Sequence, residues 1–98
     1  MQIIQAGFAG TMESSDIMIR LEPKDSPGVE LHLTSSVMQQ FGKQISQVIL
    51  STLADMQVDG VIVTATDKGA LDCTVRARVC TAVHRAANSE NYMWRTKA

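Results

Sequence analysis

A two-layer α+β fold is predicted for this chain: a four-stranded antiparallel sheet with two helices packed on one face, in the order β-β-β-α-β-α. Three observations predict it. "IMIRLEP" and "VELHLTS" alternate apolar and polar residues with period two, as strands with one buried face do. Two later segments repeat apolar residues at helical spacing, and the β-branched run "GVIVTAT" lies between them.

Taken in order, "GFAGTM" is small and β-compatible, and Ile17, Ile19 and Leu21 then alternate with Met18, Arg20 and Glu22. Glu13 to Asp16 form the turn between them, so residues 7–22 read as a hairpin with Ser14 and Ser15 at its tip. "PKDSPG" (23–28) is a loop, since proline and glycine interrupt regular structure. In the next strand Val29, Leu31 and Leu33 oppose Glu30, His32 and Thr34, which places His32 on the polar side. Ser36 with Gln39 matches the capping box and opens a helix over 37–57, whose buried stripe is Phe41, Ile45, Val48, Ile49, Leu53 and Met56. The fourth strand spans 60–66. Asp67-Lys68-Gly69 turns into a second helix, with Asp67 as its cap, Asp72 near the positive helix end, and Leu71, Val75, Val79, Ala82, Val83 and Ala86 facing the core. Residues 88–98 read as an irregular tail able to dock Tyr92, Met93 or Trp94 on an apolar surface.

Ninety-eight residues with 45% hydrophobic content make one domain, 1–98, with a modest core. A net charge of -1 gives no bulk attraction to nucleic acid or to an anionic membrane. The basic residues do collect late: Arg76, Arg78, Arg85, Arg95 and Lys97 stand against Glu90 alone from residue 76 onward. No apolar run reaches the roughly 20 residues of a membrane span, and the first ten residues lack a basic region and apolar core of secretory type. A cytoplasmic location is expected. Cys73 and Cys80 on one helix stand about 10 Å apart by helical rise, too far for a disulfide, and read as small buried residues.

The chemistry that can be sought is sparse. Neither a phosphate-binding glycine loop nor a dinucleotide fingerprint is present. Cys80 and His84 offer two ligands on one helix where zinc needs three or four, so no metal is expected. Neither His32 nor His84 is near Ser14 in sequence, which argues against a self-contained serine nucleophile and its base. The residues describe a small module that is acted upon or bound. Ser14 and Ser15, set between Glu13 and Asp16, are the candidates, and plain turn chemistry would also account for them.

"AGTMESSDIMIRLEP" (9–23) and "TDKGALDCTVRARVCTAVHRA" (66–86) together resemble the two signature stretches of the citrate lyase acyl carrier protein family, the gamma subunit of that enzyme. The matching features are the Ala-Gly-Thr-x-Glu-Ser-Ser-Asp segment ahead of a strand, Asp67 to Cys73 opening a helix, and the pair Arg76 and Arg78. The resemblance runs from about residue 1 to 87. It implies that Ser14 is the covalent attachment site of a phosphoribosyl-dephospho-coenzyme A group, 2'-(5''-phosphoribosyl)-3'-dephospho-CoA, linked by a phosphodiester and ending in a thiol. Ser15 stands where the family accepts Gly or Ser, and is the weaker candidate.

The function implied is carriage of acetyl and citryl as thioesters during cleavage of citrate to acetate and oxaloacetate. The chain would be a non-catalytic subunit of a lyase complex. The partners implied are an alpha subunit (acyl transferase), a beta subunit (citryl lyase), the holo-carrier synthase that attaches the group and the acetate ligase that acetylates its thiol. Arg76 and Arg78 are candidates for touching the nucleotide phosphates or an acidic partner surface. Glu13 and Asp16 should repel an incoming phosphate. Two alternatives remain: a carrier of another acyl-handling complex such as malonate decarboxylase, and a non-covalent α+β scaffold or ligand-binding module with Ser14 unmodified. A phosphopantetheine carrier of helical-bundle type is disfavoured, because its Asp-Ser-Leu motif is absent.

Overall fold

The structure is a computed structural model that describes residues 1–87; the expected docking of Tyr92, Met93 or Trp94 lies outside the described residues. Four strands and two helices follow one another as β1 (Gly7–Ala9), β2 (Ile17–Pro23), β3 (Val29–Ser35), α1 (Met38–Asp55), β4 (Val61–Asp67) and α2 (Asp72–Ala86). An α+β fold is consistent with this, but the sheet is mixed rather than antiparallel. Its spatial order is β1-β2-β4-β3, and β3 runs parallel to β4 from Val29↔Val61 to Ser35↔Asp67.

The correction has a simple cause. A strand, a long helix and a second strand form a crossover, and the helix returns the chain so that the two strands run the same way. β4 therefore enters between β2 and β3 and pairs antiparallel with β2, from Ile17↔Asp67 to Pro23↔Val61. The 24–28 loop joins two strands that are not neighbours. It is held from the β4 side: Lys24 donates its N–H to the Gly60 carbonyl (2.9 Å), and Gly28 donates to the Asp59 carboxylate (2.8 Å).

The alternating residues behave as their period requires. Ile17, Ile19 and Leu21 are fully buried, as are Val61 and Val63, and they pack beneath Ile49 and Leu53 of α1 and Val75, Val79 and Val83 of α2. Each such side chain contributes about 1.5–3 kcal/mol on burial. On the other face Phe8, Arg20, His32 and Thr64 are exposed. Arg20 lies 5.1 Å from the Phe8 ring centroid, and His32 and Glu30 are 2.6 Å apart.

Several local expectations are corrected. α1 begins after Val37 without a side-chain cap, so the Ser36–Gln39 box does not form; Ser35 Oγ instead accepts the Val37 N–H at 3.1 Å. Phe41 and Leu71, assigned to buried stripes, are 47% and 71% exposed; Phe41 sits in the first turn of α1, and Leu71 precedes α2 as its N-cap residue. Asp67 ends β4 and does not cap α2, whose N-cap residue is Leu71. Cys73 is exposed, not buried, and Cys80 is half-buried.

Gly42 lies inside α1, where glycine costs roughly 1 kcal/mol relative to alanine. The atoms nearest a Cβ there all belong to the flexible Met38 side chain, whose Sδ must swing aside. Gly42→Ala is therefore expected to stabilise the fold by up to about 1 kcal/mol, read as a raised midpoint in denaturant with an unchanged slope.

Candidate functional site

Three connections gather at one end of the sheet, because Asp67 pairs with Ile17 on one side and with Ser35 on the other. They are the loop 10–16 before β2, the segment 68–71 after β4 and the short link from β3 to α1. Both signature stretches thus meet in space, though residues 24–65 separate them in sequence.

Loop 10–16 begins at Gly10, whose φ of +95° lies in the left-handed region and whose missing Cβ leaves room for the carbonyl of Ile17. At its tip Asp16 donates its N–H to the Glu13 carbonyl (3.2 Å), closing a turn with Ser14 and Ser15 at the centre. Ser15 has φ of +65°. Glycine adopts that conformation freely and small polar residues tolerate it, which gives a physical reason for Gly or Ser at this position. The turn is fastened from behind: Ser15 donates its N–H to the Lys68 carbonyl (2.8 Å), and Lys68 donates to the Asp16 carbonyl (2.9 Å).

Asp16 is the anchor of the loop. Its carboxylate is buried, accepts hydrogen bonds from Thr11 Oγ1 and the Ile17 N–H (both 2.7 Å), and receives Arg78 Nε and Nη2, each at 3.0 Å. The hydrogen bonds from Arg78, then those from Thr11 and Ile17, hold this carboxyl well below the usual carboxylate range. Its charge is turned inward and compensated, so Asp16 does not present the repulsion expected of it. Glu13 remains exposed. Behind the loop, Asp67 is buried as well, accepting from Ser35 Oγ (2.8 Å) and from the N–H groups of Gly69 and Ala70 (3.0 Å each).

Ser14 is exposed at the tip. Among the described residues its hydroxyl has no hydrogen-bond partner. Ser15 is exposed too, but its backbone is fixed at both the φ angle and the N–H. Arg78 is brought directly to the loop. Arg76 points the other way and joins the helices, donating to Asp55 Oδ2 (2.6 Å) and Thr52 Oγ1 (3.3 Å). Among the described residues no group of three or more His, Cys, Asp or Glu could hold a metal ion, and no helix is long and apolar enough to cross a membrane. The roles of Thr11, Asp16 and Lys68 were not foreseen from the residues. The available signal was that Asp16 and Arg78 carry opposite charges, one in each signature stretch.

The chain is similar to known proteins over nearly its whole length. Residues 4–86 match the family model described as malonate decarboxylase delta subunit (MdcD), a span that contains both stretches. A citrate lyase acyl carrier protein of Vibrio cholerae serotype O1 is 54% identical over 94 residues, covering 96% of each chain. One of Streptococcus mutans serotype c is 53% identical over 95 residues, covering 97% of this chain and 93% of its own. Among solved structures, a chain in the crystal structure of a Pseudomonas malonate decarboxylase hetero-tetramer in complex with malonate shares the fold, with a TM-score of 0.69 at 24% identity over 82% of this chain and 81% of that one. With near-complete coverage at more than half identity, the chain belongs to the citrate lyase acyl carrier protein family.

Proposed function

We propose that this chain is the acyl-carrying subunit of a citrate lyase, and that Ser14 Oγ is its point of covalent attachment. The observation that supports this most is an exposed, uncommitted hydroxyl on a turn whose every neighbour is tied down. The phosphoribosyl-dephospho-coenzyme A group, once attached, supplies a long arm ending in a thiol that carries acyl groups. The residues present fit such a group: a primary hydroxyl at an exposed loop tip is open to a modifying enzyme, and a phosphodiester formed there would project away from the core.

The chain's own work is mechanical. Asp16, Arg78, Thr11 and Lys68 fix the base of the turn, so the arm pivots about a defined point. A flexible tether then presents the acyl group to separate active sites at local concentrations on the order of millimolar. The acyl-transferring alpha subunit and the citryl-cleaving beta subunit would provide the chemistry, the carrier adding no acid, base or metal. A holo-carrier synthase would load Ser14, and an acetate ligase would acetylate the thiol.

A carrier in a malonate decarboxylase is the second reading, favoured by the description of the matching family model. Peptide-level mass spectrometry of the chain from its native host, grown anaerobically on citrate, tests the first. A phosphoribosyl-dephospho-coenzyme A adduct on Ser14, with citrate lyase subunits co-purifying, is expected. Co-purifying decarboxylase subunits would favour the second reading, and an unmodified chain beside active modifying enzymes would leave a non-covalent scaffold.

A further inference from the structure

Beside loop 10–16, across the 68–71 segment, lies a cleft of about 430 Å³ between the first two turns of α1 and the start of α2. Its walls are Val37, Phe41, Ile45 and Leu71, and its polar edge is Gln44, which donates to both carboxylate oxygens of Asp72 at 2.9 and 3.1 Å. The Gln44 amide nitrogen is thereby engaged, and among the described residues nothing donates to its Oε1, which is left to accept an N–H from a ligand. Ile45 forms a buried floor, whereas Phe41 and Leu71 are left largely in water. Small-molecule sites commonly enclose about 300–1,000 Å³ with mostly apolar walls.

Position selects the occupant. Gly69 lines the cleft, and its neighbour Lys68 accepts the N–H of Ser15 at 2.8 Å. Ser14 therefore lies no more than roughly 12 Å from Gly69 at the rim, by the spacing of successive residues. We propose that this cleft is a resting site for the thiol end of the arm attached at Ser14, taking it as the free thiol or bearing a small uncharged acyl group. The inference rests on the attachment reading above. A tether raises the local concentration to the order of millimolar, so a site that binds the untethered ligand with millimolar affinity is about half filled when the arm is attached. Such weak, reversible shelter shields the thiol end between transfers and releases it to a partner's active site.

The test uses S-acetylpantetheine as an untethered probe. Amide NMR of the unmodified chain should show shifts at Phe41, Ile45, Gly69 and Leu71 that saturate with a Kd on the order of millimolar. Phe41→Ser and Leu71→Ser change exposed side chains, and each should weaken the probe about fivefold to tenfold while leaving distant signals in place. In the loaded, acetylated chain the same residues should shift relative to the unmodified one. A silent cleft at about 10 mM probe, several times the tethered concentration, together with changes in the loaded chain confined to the neighbours of Ser14, would overturn the proposal. So would cleft signals that respond only when a partner subunit is added, since the face would then be a protein contact. Mass spectrometry separates the two ideas: an adduct on Ser14 with a silent cleft overturns the resting site alone, and the absence of an adduct overturns both, whatever the probe does.

Discussion

Ser14→Ala should yield a chain that folds as before and accepts no adduct. The side chain is exposed and makes no hydrogen bond among the described residues, so its loss should change stability by no more than about 0.5 kcal/mol. The functional effect should be complete, because the neighbouring hydroxyl, Ser15, has its backbone fixed at a φ of +65° and by the Lys68 carbonyl and stands at a different pivot. Intact mass after incubation with the holo-carrier synthase reads the first consequence, and citrate cleavage by the reconstituted subunits reads the second. Ser15 provides the contrast. Ser15→Gly relieves a left-handed φ of +65° and should load normally. Ser15→Val forces a β-branched residue into that region and should cost on the order of 1–2 kcal/mol, slowing loading through a disturbed turn. If Ser14→Ala still carries the group and Ser15→Ala does not, the assignment of the site is reversed.

The strands and helices were legible because burial imposes a period, and Ile17, Ile19 and Leu21 obey it without exception. Strand pairing is a different kind of information. Alternation in β3 and β4 tells which side chains point inward, not which strand lies beside which. The clue to the parallel pair was connection length, since α1 with its links is long enough to be a crossover. Helical period likewise carries no knowledge of where packing begins along a helix, and Phe41 and Leu71 matched a buried stripe yet are exposed at the starts of α1 and α2. At the site, the exposed hydroxyl could be read from turn chemistry, but the clasp beneath it could not. Asp16 and Arg78 are 62 positions apart, and only the fold shows that an acid expected to repel phosphate is consumed by an arginine.

That clasp leads to the second large effect. Arg78→Ala removes both guanidinium hydrogen bonds and leaves a buried carboxylate with only Thr11 and Ile17. Arg78 is itself 40% exposed on its side chain, so solvent screens part of the loss, and a cost of about 2 kcal/mol at neutral pH is expected. Arg78→Lys keeps the charge but not the two-pronged geometry and should recover only part of it. The sign of the pH dependence follows from Asp16. Its carboxyl is held below its ordinary value of 3.8 in the folded chain, so the unfolded chain binds the proton more readily. The stabilisation is therefore present in full above the unfolded value, and it declines as pH falls below about 4 toward the lower folded value. Thermal unfolding followed from pH 7 down to pH 3 should show the wild-type margin over Arg78→Ala shrinking as the acid limb is entered. The double variant with Asp16→Asn should fall by less than the sum of the single changes, because each partner's substitution already forfeits the shared pair. A margin that stays constant with pH, or additive single effects, would mean that the two side chains do not act together. The attachment turn would then owe its shape to Gly10 and the Ser15–Lys68 backbone bond alone.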